Sequence, residues 1–389
     1  MSKGHGRHFL QIPGPTNVPE RVSLAMARAV VDHRGADFPE LTLRIFGNLR
    51  KVFATESPVL MFPSSGTGAW EAALVNTLSP GEKVLAFETG HFSTLWKEVA
   101  QKLDLEVVWV EGDWRRGIDP QLVEDRLRRD NGIAAVLAMH NETSTGATSD
   151  IAAVRGAMDA CNHDALLLVD AVSSLACAPL PMDDWGIDVV ISGSQKGLML
   201  PPGLGFNAAG PKARDRARRS TSRNAYWNWQ AMLDNNGQGY FPYTPATTLL
   251  YGLDEALAML LEEGMENVFA RHSRHAGATR AAVAAWGLEN VCVNEHEFSN
   301  STTAILLPEG NDADRLRKII HERFNMSLGT GLGKLKGRCF RIGHLGNFND
   351  LMLAGTLSGV EMGLGLAGAP HGKGGINAAL EFLAGSERD

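Results

Sequence analysis

The sequence predicts an α/β fold: a large domain on a mostly parallel sheet, followed by a smaller C-terminal α+β domain. Three observations carry that expectation. Short, uniformly apolar runs alternate with amphipathic stretches from about residue 58 to 210, the signature of βαβ units. The order then changes to a long helical pattern and three short strands. At 389 residues the chain also exceeds the size at which one core usually stops growing.

In the first half the expected strands are Lys83–Phe87, Leu105–Val110, Ile133–Met139, Leu166–Val169 and Ile187–Ile191. Leu166–Val169 is short and uniformly apolar, as a strand buried in a parallel sheet must be. Helices are expected at Gly68–Leu78, Thr94–Lys102, Pro120–Arg129 and Ile151–Ala160, and one long helical pattern spans Leu253–Trp286. Strands at Val291–Val293, Thr302–Leu307 and Cys339–Ile342, with a helix near Asp312–Phe324, make up the smaller unit. The expected division is an N-terminal segment 1–19, a large domain 20–260 and a small domain 261–389.

Composition narrows the function. The chain is 44% apolar and 21% charged, with net charge −7, which gives no electrostatic reason to bind nucleic acid or an anionic membrane. The basic stretch Lys212–Arg219 lacks any nucleic-acid motif and reads as a solvated helix face. The apolar run Leu351–Val360 is too short to span a bilayer. Cys161, Cys177, Cys292 and Cys339 are widely spaced, as in a protein of the reducing cytosol. The first residues, MSKGHGRHFLQIPGP, contain no apolar segment of the length a secretory signal needs, and Ser386–Asp389 is no peroxisomal address. A cytoplasmic location is expected. His272 with His275, and Cys161 with His163, have no further ligands at zinc spacing, so no metal is expected.

The chemistry is concentrated between Ala165 and Gly205. One apolar strand ends at Asp170 and the next leads to Ser192-Gly193-Ser194-Gln195-Lys196. Strand carboxyl ends in a doubly wound sheet face one crevice, which would bring Asp170 and Lys196 together. A buried lysine that sheds its proton can form a Schiff base with an aldehyde. An aspartate beside a pyridine nitrogen keeps that ring protonated and electron-withdrawing. Taken singly, the aspartate could be a helix cap and the lysine a solvated loop residue; the pair suits pyridoxal phosphate. Upstream, Ser64-Ser65-Gly66-Thr67-Gly68-Ala69 opens a helix with small residues, where backbone N–H groups can meet a phosphate. It is neither a dinucleotide fingerprint nor a P-loop, which counts against an ATP-binding protein.

VDAVSS followed by SGSQKGLMLPPGLG resembles the class V, fold-type I pyridoxal-phosphate aminotransferases, and within them the serine-glyoxylate and alanine-glyoxylate group. The resemblance runs from Pro13-Gly14-Pro15-Thr16-Asn17 to Phe340-Arg341-Ile342-Gly343. It implies a seven-stranded-type large sheet, with Lys196 as the catalytic lysine and Asp170 at the ring nitrogen. Thr67, Gly68, Ala69 and Gln195 would then meet the phosphate, Ala69 through its N–H alone. Phe92 would stack on the ring, Thr143 and Val172 would lie beside the cofactor, and Arg341 would grip the substrate carboxylate. In Gly239-Tyr240-Phe241-Pro242-Tyr243-Thr244-Pro245, Thr244 matches a residue that crosses a homodimer to the neighbouring phosphate. The accompanying tyrosine aligns with Phe241, between Tyr240 and Tyr243, and Tyr243 is the candidate. Desulfurase relatives usually carry histidine before the lysine and need a mobile catalytic cysteine, and this chain fits neither pattern. A non-catalytic binder on the same fold would be expected to have lost Lys196 or Asp170. The motifs HNETSTG, SGSQKGLMLPPGLG, GYFPYTP and FRIGHLG imply ping-pong transfer of an amino group from L-serine to glyoxylate. Alanine or aspartate remain as donors; aspartate would want a second cation, for which Arg34 is the candidate.

Overall fold

The computed structural model describes residues 6–385, and its strands form where the chain is apolar on alternating or on both faces. In chain order they are β1 (Phe9–Gln11), β2 (Val59–Ser64), β3 (Lys83–Phe87), β4 (Glu106–Val110), β5 (Ile133–Met139), β6 (Asn141–Glu142), β7 (Ala147–Thr148), β8 (Leu166–Asp170), β9 (Val189–Gly193), β10 (Gly203–Ala209), β11 (Glu289–Asn290), β12 (Thr302–Leu306), β13 (Met326–Thr330) and β14 (Cys339–Gly343). A seven-stranded sheet has the order β2-β10-β9-β8-β5-β3-β4. Only β10 runs against its neighbours; the other pairings are parallel.

Both faces of this sheet are covered. Val136, Ala138, Leu167, Val169 and Val190 pack into one apolar cluster. Ala135, Leu137, Leu166, Leu168, Val189 and Ile191 pack into another. Successive strand residues point to opposite faces, so the apolar runs Ile133–Met139, Leu166–Val169 and Val189–Ile191 are what two-sided burial demands. The second sheet, β1-β13-β14-β12-β11, has its own core around Phe340, Ile342, Leu353 and Trp286. The amino-terminal strand belongs to this sheet: Phe9–Gln11 pairs with Met326–Leu328, which leads the chain from there across to the large sheet.

Several expectations need correction. The strand expected from Ile187 starts at Val189, because Gly186 turns the chain with φ +57°. β8 ends on Asp170, as expected. The helical pattern Leu253–Trp286 is two helices, Thr247–Glu263 and Met265–Ala285, divided at Gly264, whose φ of +84° no helix accommodates. Val291–Val293 is not a strand: Val293 N–H bonds Arg115 O, outside the sheet. Among the described residues no helix is long and apolar enough to cross a membrane. The terminal stretch Ser386–Asp389, like Met1–His5, lies outside the described residues.

Candidate active site

The parallel strands bring Asp170, at the end of β8, and Lys196, just beyond β9, to one cavity. Its wall is formed by Ser65, Gly66, Thr67, Trp70, Phe92, Met139, Thr143, Asp170, Val172, Gln195 and Lys196. Asp170 is 2% exposed. Its Oδ1 accepts the Val172 N–H at 2.8 Å and its Oδ2 the Trp70 indole N–H at 2.5 Å. Burial pushes the carboxyl up to about 7, opposed by those two donors.

Lys196 is 9% exposed, and its ammonium donates to the Pro13 carbonyl. Burial, then the Arg341 cation, pull its pKa down to about 8. The segment after β1 lies directly on this side chain. Thr16 Oγ1 donates to Lys196 O at 3.1 Å, and a Cβ on Gly14, where φ is +96°, would stand 2.5 Å from the lysine Nζ. Only glycine leaves that space to the lysine.

The helix Gly66–Thr77 begins at the cavity. The first N–H groups of a helix have no acceptor within it, which leaves those of Gly66, Thr67 and Gly68 for an anion. Ala69 does not match the expectation: its N–H donates to Ser65 O at 3.0 Å, its side chain is fully buried, and it does not line the cavity. Gly68 sits just off the wall, closed in by Ser64 and Trp227. Gln195 lines the cavity with its side-chain oxygen buried and unpartnered.

Across from the lysine, Phe92 opens the helix His91–Lys102. The carboxylate of Glu142, 1% exposed, sits at that helix start and accepts the N–H groups of Phe92, Ser93 and Ser144 and the Ser144 hydroxyl, at 2.6–3.3 Å. Glu142 thus ties Phe92 to the β6–β7 turn that carries Thr143, whose hydroxyl donates to Ser173 Oγ at 2.6 Å. Arg341, on β14, is 6% exposed. Its Nε donates to Thr330 O and its Nη1 to Thr143 O, both at 2.8 Å. No carboxylate pairs with it among the described residues, and burial lowers its pKa to about 10.

Two expected residues are not brought to this cavity by their own chain. Tyr243 stacks on Tyr226, ring centroids 4.3 Å apart, and Thr244 is exposed. Both would need a second subunit. Arg34 is likewise exposed. Sequence reasoning missed Trp70, Glu142 and the Pro13 carbonyl. Trp70 was within reach, since it lies four residues after Gly66 on the same helix face.

A buried lysine facing a buried aspartate, with a helix start on the cavity wall and, behind Thr143, an arginine that has no counter-ion among the described residues, suits an aldehyde cofactor and a carboxylate substrate. Residues 8–334 match the family model for class V aminotransferases, and the chain belongs to that family of pyridoxal-phosphate-dependent transaminases. It is 49% identical to a serine–glyoxylate aminotransferase of Methylorubrum extorquens, over 97% of this chain and 96% of that one. It is 44% identical to an L-aspartate–glyoxylate aminotransferase of Paracoccus denitrificans, over 95% and 94%. Among solved structures, the ureidoglycine–glyoxylate aminotransferase of Bacillus subtilis superimposes with a TM-score of 0.91 at 27% identity, covering 99% of this chain and 100% of that one. The residues present fit pyridoxal phosphate: an amine and a carboxylate face one cavity, free N–H groups stand at one end, and Gln195 lines the same cavity.

Proposed function

We propose that this chain transfers the amino group of L-serine to glyoxylate, giving hydroxypyruvate and glycine by a ping-pong route. The observation that carries the reading is the cavity shared by Asp170 and Lys196, with the Arg341 guanidinium one residue away through the Thr143 carbonyl. Pyridoxal phosphate, when bound, supplies an aldehyde that takes up the amino group and a ring that draws electrons from the substrate α-carbon.

The chain's own residues do the rest. The N–H groups of Gly66, Thr67 and Gly68 and the Gln195 amide hold the phosphate, with Tyr243 and Thr244 reaching the neighbouring subunit's phosphate in a homodimer. Asp170 holds a proton on the ring nitrogen. Phe92 covers one ring face, while Val172 and the Thr143 hydroxyl bound its edges. Arg341 orients the α-carboxylate in two-point contact, which fixes the bond to be broken. Lys196, its basicity lowered by burial and the Arg341 cation, takes the α-proton and returns it to the former aldehyde carbon. Ala69 is left out, its N–H being spent in the helix.

Serine is favoured by the Methylorubrum extorquens relative and by the charge of the walls. Lys196 is the only cation on the cavity wall of the described chain, and Arg341 is reserved for the α-carboxylate, so a second carboxylate, as in aspartate, has no partner. We place the protein in the cytosol, consistent with four free cysteines, and put the domain division at residues 260/261, close to the break at Gly264. The test is a donor panel: L-serine, L-alanine and L-aspartate, each with glyoxylate, scored by kcat/KM. Serine is expected to lead; a larger value for aspartate or alanine overturns the donor assignment, and no glycine from any donor overturns the reaction.

A further inference from the structure

The helix Gly66–Thr77 reaches the cavity twice. Its first turn presents Gly66 and Thr67, and one turn later Trp70 lines the same wall, because residues three and four apart share a helix face. Trp70 is 3% exposed. Its ring stacks on Trp96, with centroids 5.8 Å and planes 15° apart, so the indole is held from behind. In that position its N–H meets Asp170 Oδ2, while Oδ1 takes the Val172 N–H. An indole nitrogen only donates. It therefore favours the ionised carboxylate over the neutral acid, in a place where no cation hydrogen-bonds Asp170 among the described residues.

We propose that Trp70 is a positioning residue for the cofactor's ring nitrogen: its N–H keeps Asp170 ionised and turned so that a remaining lone pair faces the ring. The inference rests on the reading of Asp170 as the partner of that nitrogen. The contact also ties Asp170 to the helix whose start meets the phosphate, so one rigid element sets the spacing of the cofactor's two ends.

The test compares equilibrium affinities of the wild-type protein and the Trp70→Phe variant for pyridoxal phosphate and for its 1-deaza analogue, in which CH replaces the ring nitrogen. Phenylalanine keeps an aromatic ring against Trp96 and removes the donor. Affinity for pyridoxal phosphate is expected to fall about tenfold, the scale of one hydrogen bond to a charged group, while affinity for the analogue holds. Equal losses for both ligands would mean that Trp70 only packs, and no loss for either would mean that it has no role; both overturn the proposal. If Trp70→Phe does not fold, Trp70→His, which keeps a ring N–H, decides. A retained preference for pyridoxal phosphate over the analogue supports the proposal, and a lost preference overturns it. Asp170→Asn separates the levels: if it leaves pyridoxal phosphate affinity unchanged, the assignment of Asp170 fails, whatever Trp70 does.

Discussion

Replacing Arg341 by methionine should separate function from stability in an unusual direction. The guanidinium is 6% exposed and bonds two carbonyl oxygens, those of Thr330 and Thr143. Removing it forfeits two charge-assisted hydrogen bonds, about 1.5–3 kcal/mol each. It also relieves the desolvation of a buried charge, a penalty of several kcal/mol, and leaves no carboxylate stranded, since none pairs with Arg341 among the described residues. The drop of its pKa from 12.5 to about 10 says that the charged form is disfavoured by about 3 kcal/mol. The two sides nearly cancel, so the Tm of Arg341→Met should match or exceed that of the parent. The substrate carboxylate, in contrast, loses its buried partner, which costs about 2–5 kcal/mol, or about 30-fold to several thousand-fold in kcat/KM. Thermal melts and donor kinetics on the same preparation check both halves. A kcat/KM within a few-fold of the parent, or a Tm loss of the size caused by breaking a buried ion pair, would refute the reasoning.

Three further outcomes follow from the same geometry. Lys196 is held down to about 8 by burial and Arg341, whereas an unfolded chain keeps the lysine proton up to about 10.4; the unfolded state therefore binds more protons between these values, and stability rises with pH across that window. Cofactor-free Lys196→Met should thus exceed the cofactor-free parent by about 3 kcal/mol at pH 7, with the gap closing towards pH 10.4 in urea titrations; a pH-independent gap contradicts this. Glu142→Gln turns an amide donor towards at least one of the N–H groups that the carboxylate now accepts, so the urea midpoint should fall by the equivalent of about 1–3 kcal/mol, and an unchanged midpoint counts against the clamp. Gly14→Ala puts a methyl group where the Lys196 side chain runs and should abolish cofactor retention while circular dichroism stays native; full retention would show that the segment gives way.

What was legible in the sequence follows from how each element is stabilised. Ile133–Met139 and Leu166–Val169 announce themselves because both faces are buried and every residue is apolar. β2 and β10 escaped notice: Pro63 and two glycines, Gly203 and Gly205, interrupt their patterns, and their pairing is set by long-range contacts. The break at Gly264 was hidden because the apolar rhythm continues on either side. At the site, Asp170, Lys196 and Arg341 were readable because a strand end and a buried charge leave local marks. Glu142 acts through the helix at His91, far along the chain, which no local pattern reveals; Trp70 shares a helix face with Gly66, but its partner Asp170 lies 100 residues on. Tyr243 and Thr244 do not line the cavity of their own chain, and their proposed role needs a second one.

The most direct test of the central claim is where the cofactor is carried. Borohydride reduction of the protein with pyridoxal phosphate bound, followed by peptide mass mapping, should fix the phosphopyridoxyl group on Lys196 and release it from no other peptide. A label on another lysine, or none on the peptide containing Gln195 and Lys196, would contradict the account.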